Sequence, residues 1–160
     1  MTFLRTLRIL VLIFLMSSCS LPTLVFLRDP LTAEEHIDLG YIYEKKGKID
    51  LAEEEYIKAI KKDRRQWKAY YNLGNLYAKR GEYEKAVGLY EKALNINREG
   101  DVLNNLAYSL YKLGDYCGAL EYIEEALKKG EREEYRETHM DIRKAIEEKG
   151  VDCLLFKREG

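Results

Sequence analysis

Residues 36–60 read HIDLGYIYEKKGKIDLAEEEYIKAI, and the same pattern returns at residues 70–94 and again at residues 103–127. The copies begin 34 and then 33 residues apart. A period of this length indicates a stack of two-helix units, which must cover one another because no unit can bury its apolar face alone. Each copy carries a Leu-Gly or Leu-Ala pair, a turn glycine and two alanines at matching positions: Leu39-Gly40, Gly47, Ala52 and Ala59; Leu73-Gly74, Gly81, Ala86 and Ala93; Leu106-Ala107, Gly114, Ala119 and Ala126.

The apolar residues of each copy recur at helical spacing, which predicts two helices per unit and an all-α chain. Thr32, followed three residues later by Glu35, predicts a capping box at the start of the first helix. Pro22 and Pro30 both precede the repeats, so no proline interrupts a helix. The predicted helices are Ala33–Lys46, Ile49–Lys62, Gln66–Arg80, Tyr83–Ile96, Asp101–Leu113 and Tyr116–Lys129.

The units resemble tetratricopeptide repeats, whose pattern is a bulky residue, Leu-Gly, Tyr, Ala and an aromatic residue at fixed offsets. The resemblance implies a right-handed α–α superhelix of three units within residues 32–130, at about residues 33–66, 67–99 and 100–132. The proline that closes many family units is absent, and Arg64, Arg98 and Glu131 stand in its place. The matching residues are His36, Leu39, Gly40, Tyr43, Ala52 and Tyr56; Tyr70, Leu73, Gly74, Tyr77, Ala86 and Tyr90; Leu103, Leu106, Ala107, Leu110, Ala119 and Ile123.

Glycine inside a helix is unfavourable by about 1 kcal/mol relative to alanine. Gly40 and Gly74 therefore indicate the close approach of a second helix, with Ala52, Ala86 and Ala119 as the facing small residues. We expect the tyrosines Tyr43, Tyr56, Tyr77 and Tyr90 to fill the gaps beside them. The turn glycines Gly47, Gly81 and Gly114 are expected to end each first helix in the left-handed conformation.

The segment from Glu133 to Lys149 predicts one more amphipathic helix, which would cap the array as the first half of a fourth unit. Its apolar face comprises Tyr135, His139, Ile142 and Ile146, and Gly150 follows as a turn glycine. Residues 150–160 form a tail. Its apolar part, Val151–Phe156, either folds back on the open end of the array or serves as a partner-binding peptide.

The N-terminal residues have a different character. Arg5 and Arg8 precede the apolar run Ile9–Met16, which predicts a secretory signal over residues 1–18. The tetrapeptide Met16-Ser17-Ser18-Cys19 resembles a bacterial lipobox, which implies lipidation at Cys19 and a tether over residues 19–31. An uncleaved transmembrane anchor or a simple cleaved signal are the alternatives. All three place the repeats outside the cytoplasm, in the bacterial cell envelope, and the residue after Cys19 favours the outer membrane.

Several functional classes are disfavoured by composition. The 27 Lys and Arg residues balance 28 Asp and Glu residues, giving a net charge of −1, so a nucleic-acid binder is not indicated. We find no motif for catalysis, for a metal ion or for a cofactor, and we expect neither enzymatic activity nor a small-molecule substrate. His36 and His139 are interpreted as packed residues on inward-facing helix surfaces.

Cys117 and Cys153 would remain as an even pair in an oxidising compartment if Cys19 were lipidated. A disulfide between them would join the tail to the third unit. Equivalent positions in packed helices lie about 8–10 Å apart, beyond the roughly 7 Å that a disulfide allows, so two separate buried thiols are the alternative.

In the family, the first helix of each unit lines a concave groove that binds peptides, and the resemblance implies a protein partner for this chain. The family's clamp for acidic chaperone tails is not matched, because Ile37, Tyr41 and Asp101 occupy three of its positions. We therefore expect an envelope adaptor that binds a peptide or helix. The alternatives are tyrosines that only roof the core, and a self-associating structural subunit. The groove residues are Ile37, Tyr41, Tyr71, Asn72, Asn75, Lys79, Asn104, Asn105, Tyr108 and Lys112.

Overall fold

The computed structural model describes residues 29–153, and the helices all belong to the structural unit that begins at Leu31. The signal sequence, Cys19, the first part of the tether and residues 154–160, for which the sequence analysis makes predictions, lie outside the described residues. The all-α prediction is confirmed. Seven helices are seen over the described range: α1 Ala33–Lys45, α2 Ile49–Lys62, α3 Trp67–Lys79, α4 Tyr83–Ile96, α5 Gly100–Leu113, α6 Tyr116–Lys129 and α7 Glu133–Lys149. Their ends differ from the sequence prediction by no more than one residue.

The helices pack as pairs, α1 with α2, α3 with α4 and α5 with α6, and each pair then contacts the next helix along the chain. In addition the backbone of α1 approaches that of α3, α3 approaches α5, and α5 approaches α7, whereas the backbones of α2, α4 and α6 do not approach one another. Helices on the inside of a curved stack lie closer together than those on the outside. We therefore call α1, α3, α5 and α7 the inner helices, and α2, α4 and α6 the outer helices.

The first helix begins as the sequence predicts. The backbone N–H of Glu35 donates to the Thr32 hydroxyl at 3.2 Å, and the Glu35 carboxylate accepts from the Thr32 backbone at 2.7 Å. This reciprocal pair satisfies two N–H groups that have no partner within the helix. A second cap was not predicted from the sequence. At the start of α6, Asp115 accepts a hydrogen bond from the backbone N–H of Gly118 at 2.9 Å.

The turn glycines also confirm their prediction. Gly47, Gly81 and Gly114 have φ values of 70°, 77° and 86°, and Gly150 after α7 has 64°. Residues with a Cβ are strained in this left-handed region, so glycine is required at each turn that reverses the chain from an inner to an outer helix.

Gly40 and Gly74 lie where two helices approach closely, but the facing residue differs from the prediction. A Cβ at Gly40 would lie 2.6 Å from the Tyr56 ring, and one at Gly74 would lie 2.7 Å from the Tyr90 ring. The expectation that alanines face these glycines is therefore corrected, because the aromatic ring projects onto the glycine itself. Ala52, Ala86 and Ala119 are fully buried.

Buried residues form two clusters along the array. The first joins α1, α2 and α3 through Ile37, Ala52, Tyr56, Ala59, Ala69, Leu73 and Leu76. The second runs from α4 to α7 and includes Tyr90, Leu103, Leu106, Ile123, Tyr135 and Ile142. Tyr77 packs against both clusters, so it links the N-terminal and C-terminal parts of the core.

His36 is buried, as predicted for a packed residue, with 1 % of its surface exposed. Its Nδ1 lies 2.6 Å from Oε2 of Glu55, which is also buried and accepts from Lys58 at 2.9 Å. A histidine held by a buried carboxylate is a satisfied core residue. His139 is half-buried on α7, where Tyr135 and Ile142 supply the buried contacts of that helix.

Candidate functional site

The first three inner helices, α1, α3 and α5, each carry one row of side chains at the predicted groove positions of the repeat. Residues four apart lie on one face of a helix, so each row runs along its helix and ends in a lysine near the C-terminus. We call this surface the inner wall. Its rows are Ile37, Tyr41 and Lys45 on α1; Tyr71, Asn75 and Lys79 on α3; and Asn104, Tyr108 and Lys112 on α5.

The row on α5 carries a cluster of aromatic side chains beside a lysine. Tyr108 is 40 % exposed, and the Lys112 ammonium lies 5.8 Å from the centre of its ring and 6.0 Å from that of Tyr83. Tyr111 packs against Tyr108 with ring centres 6.3 Å apart, and Tyr83 lies at the same distance on the other side. Lys112 forms no ion pair with any described residue. The cluster therefore offers apolar area and one unpaired cation together.

Asn75 and Asn105, predicted as peptide contacts, bond mainly to neighbouring side chains. The Asn75 carbonyl accepts from the Tyr90 hydroxyl at 2.8 Å and from the Asn105 amide at 2.8 Å. The Asn105 amide also lies 3.4 Å from the Tyr71 hydroxyl. Because α3 and α5 carry the two amides, this network joins neighbouring units. Burial raises the pKa of Tyr71, so its hydroxyl remains a neutral member of the network.

Asn104 differs from these two amides. Its Nδ2 donates to Asn105 at 3.2 Å, but its buried Oδ1 has no hydrogen-bond partner among the described residues. A buried carbonyl oxygen without a donor is unfavourable, since native structures satisfy most such atoms. Asn104 stands one turn before Tyr108 on the same face, so the orphaned acceptor belongs to the inner wall.

Ile37 does not belong to the accessible surface. Only 6 % of it is exposed, and it lies in the first buried cluster between α1, α2 and α3. Its prediction as a groove contact is corrected, because the curvature of the stack turns this position into the core. Tyr41, one turn later, is 51 % exposed with the Lys45 ammonium 5.1 Å from its ring centre.

The positive charge in the middle of the inner wall is neutralised by an ion pair. Lys79 pairs with the Glu44 carboxylate, and the other oxygen of Glu44 accepts from the Tyr56 hydroxyl at 3.1 Å. Asn72 is half-buried on α3 beside this row. Of the predicted groove residues, Tyr41, Tyr108 and Lys112 are exposed, whereas Lys79 is paired and Ile37 is buried. Tyr71, Asn75 and Asn105 bond to one another between α3 and α5, and Asn72 and Asn104 are half-buried.

A second concave region lies at the C-terminal end. Cys117 and Cys153 form a disulfide with a Cα–Cα distance of 5.3 Å, which joins the first turn of α6 to the segment after α7. A cavity of about 670 Å³ adjoins it, lined by Leu120, Ile146 and Val151 together with charged residues.

Within residues 29–153, no three His, Cys, Asp or Glu side chains converge to hold a metal ion. Over the same range, no helix is both long enough and apolar enough to cross a bilayer.

Comparisons with solved structures show the same helical stacking. The first tetratricopeptide domain of Spaghetti, bound to an HSP90 peptide, matches with a TM-score of 0.70 and 21 % identity over 74 % of this chain and 95 % of that one. The tetratricopeptide domain of Sgt2 from Aspergillus fumigatus matches with a TM-score of 0.68 and 20 % identity, over 74 % of this chain and 81 % of that one. YrrB, described as having an unusual peptide-binding site, matches with a TM-score of 0.64 and 29 % identity, over 67 % of this chain and 56 % of that one.

No match was found among curated proteins. Two family models, both described as tetratricopeptide repeat, match residues 37–102 and residues 101–146. Together they span more than half of the sequence and include all of α3, α4, α5 and α6. This match, the repeated glycine and tyrosine contacts and the stacking of inner and outer helices agree, and the chain belongs to the tetratricopeptide repeat family.

Proposed function

We propose that this chain is a non-catalytic interaction scaffold that binds an extended peptide or a helix of a partner protein on its inner wall. The observation that carries the proposal is the cluster of Tyr108, Tyr83 and Tyr111 around the unpaired Lys112. Tyrosine provides a large contact area at low entropic cost, and an exposed cluster of this kind is typical of binding surfaces.

Two further features suit a peptide ligand. The half-buried Asn104 carries an amide, a group that can pair with both the N–H and the C=O of an extended peptide backbone. Lys112 can form an ion pair with a carboxylate of the ligand, because it forms none with a described residue. Spaghetti was solved with a bound peptide and YrrB is described as binding one, which supports the same use of the inner wall here.

A library of displayed peptides, selected against the full chain in detergent, tests this proposal. We expect enriched sequences whose affinity falls about tenfold or more in Tyr108→Ala, since truncating an aromatic anchor is often that costly. Ile96→Ala is the matched control, because Ile96 ends the outer helix α4 and is 37 % exposed against 40 % for Tyr108. Equal loss in both variants, or no enriched sequence, would refute binding at the inner wall.

We further propose that the scaffold is attached to a membrane of the bacterial cell envelope and there assists the assembly of an envelope complex. The N-terminal sequence supports this, through Arg5, Arg8, the apolar run and the lipobox-like residues up to Cys19. Lipidation at Cys19, with an outer-membrane location facing the periplasm, is the favoured form. An uncleaved transmembrane anchor is the alternative.

Metabolic labelling with a fatty acid analogue in a bacterial host separates the two forms. The lipoprotein form predicts label on the parent chain, no label on Cys19→Ser, and a mature N-terminus at Cys19 by mass spectrometry. An unlabelled chain that keeps Met1 and remains in the membrane fraction would favour the anchor. An unlabelled chain in the soluble fraction would contradict both forms.

A further inference from the structure

Every inner helix after the first buries one face against the outer helix that precedes it. On α3 this face is Ala69, Leu73 and Leu76, and each is 4 % exposed or less. The same positions on α5 are Val102, Leu106 and Ser109, all fully buried, and on α7 they include Tyr135 and Ile142. The repeat thus assigns this face to contact with a neighbouring helix.

Among the described residues, no helix precedes α1 to cover the corresponding face. Its positions are Glu35, Leu39 and Ile42, and Ile42 is 45 % exposed whereas its counterparts Leu76 and Ser109 are at most 1 % exposed. Leu39 and Ile42 therefore keep the apolar character of an internal face, and no described helix covers Ile42.

The other end differs in sequence. Met140 on α7 stands at the position of Gly40, Gly74 and Ala107 in the three units. A Cβ at Gly40 or Gly74 would lie under 3 Å from the tyrosine of the following outer helix, so Met140 cannot form that close contact. The C-terminal end therefore cannot repeat the glycine–tyrosine packing of the first two units.

Two opposite charges flank Ile42. Asp38 precedes it by four residues, and Lys46, the C-cap residue of α1, follows it by four, so the three lie along one side of the helix. Asp38 and Lys46 are both exposed, and neither has an ion-pair partner among the described residues. With a rise of 1.5 Å per residue, the opposite charges lie about 6 Å on either side of Ile42.

We propose that this face binds the same face of a second copy of the chain. A two-fold axis through Ile42 would set the two α1 helices antiparallel, with Ile42 against Ile42 and the Asp38 of each copy beside the Lys46 of the other. A two-fold contact needs a self-complementary surface, and an apolar centre with opposite charges at equal distances provides one. Tyr108 and Lys112 take no part, so this dimer does not depend on the proposed peptide binding.

A charge exchange tests the pairing. Energy transfer between two labelled populations of the full chain in detergent gives the dissociation constant. Asp38→Lys and Lys46→Asp each place like charges together at two points, and we expect each to weaken the dimer at least tenfold. The double variant Asp38→Lys/Lys46→Asp restores opposite charges and should return the constant to within about threefold of the parent. Met140→Lys, at the C-terminal end of the array, is the control and should leave the dissociation constant unchanged.

A photoreactive residue at position 42 distinguishes the occupants of this face. The proposal predicts crosslinks between the two α1 helices of a dimer, identified by mass spectrometry. Crosslinks within one chain to residues 1–28, crosslinks only to another protein, or a monomer at every concentration from about 1 μM to about 1 mM would each overturn it. Failure of the double variant to restore association would also overturn the two-fold geometry.

Discussion

Gly74 and Gly88 both lie inside helices, yet an added methyl group would meet very different surroundings. At Gly74 it would lie 2.7 Å from the ring of Tyr90, which is buried and bonded to Asn75, whereas at Gly88 nothing lies within 4 Å. We expect Gly74→Ala to lower the free energy of unfolding by about 1–2 kcal/mol through overpacking. Gly88→Ala should raise it by up to about 1 kcal/mol, since alanine favours the helix. Urea denaturation of both variants measures the difference, and a stabilised Gly74→Ala would contradict the close contact.

The recurrence of glycine at one position could be recognised from the sequence, and so could the close approach that it permits. The facing residue could not, because the projection of Tyr56 or Ala52 onto Gly40 depends on the angle at which the two helices cross. The same limit applies to the inner wall. Ile37 and Tyr41 share one face of α1, but the curvature of the stack buries the first and exposes the second.

The contact between α2 and α3 includes a carboxylate whose ionisation stabilises the fold. Glu53 on α2 accepts from the Tyr77 hydroxyl at 2.6 Å and from Arg80 at 2.6 Å. The Tyr77 hydrogen bond and then Arg80 hold the pKa of Glu53 below its ordinary value of 4.5. A lowered pKa in the folded state contributes stability above pH 4.5 that disappears as the pH falls through the folded-state pKa.

We therefore expect Glu53→Gln to destabilise the chain by about 1.5 kcal/mol at pH 7, the usual contribution of a hydrogen bond to a charged group. The difference between parent and variant should shrink below pH 4.5 and vanish once Glu53 is protonated. Chemical denaturation across the acid range measures it. Glu54→Gln is the control, since Glu54 is 58 % exposed beside Lys58 and should matter little at any pH. A difference independent of pH would refute the role of ionisation.

The disulfide joins α6 to the segment after α7 across 36 positions of sequence. Closing a loop of this length restricts the unfolded chain, so reduction should lower the free energy of unfolding by up to about 4 kcal/mol. Denaturation with and without a dithiol reductant measures the loss. The double variant Cys117→Ser/Cys153→Ser should match the reduced parent and be insensitive to reductant. A parent chain that is equally stable in both conditions would contradict a disulfide in solution.

The repeat period alone does not predict the bond between the two cysteines. Treating Cys117 and Cys153 as equivalent positions of successive units gives a separation too large for a bond. However, α7 has 17 residues where α5 has 14, although the buried faces of the two helices remain in register. The extra three residues move the turn after α7 by about 4.5 Å along its axis, away from the repeat position. Cys153 therefore does not occupy the repeat equivalent of Cys117, and the spacing of equivalent positions does not apply to this pair.

The two ends of the whole array should differ in local stability. In a repeat protein each unit is held mainly by its neighbours, so an end with one open face unfolds first. The helices α1 and α2 contribute to the smaller buried cluster and leave Ile42 exposed, whereas α7 is bonded through the disulfide and buries Tyr135 and Ile142 in the larger cluster. The disulfide therefore restrains the opening of α7, whereas no covalent bond among the described residues restrains the opening of α1.

Hydrogen exchange at a concentration where the chain is monomeric measures this gradient, because slowly exchanging amides report the free energy of local opening. We expect the amides of α1 and α2 to exchange before those of α5 and α6, and α7 to follow α1 and α2 while the disulfide is intact. Reduction should accelerate exchange in α7 and leave α1 unchanged, since the bond constrains only the C-terminal end. Uniform exchange along the array would mean that it opens as one cooperative unit, and faster exchange in oxidised α7 than in α1 would reverse the gradient.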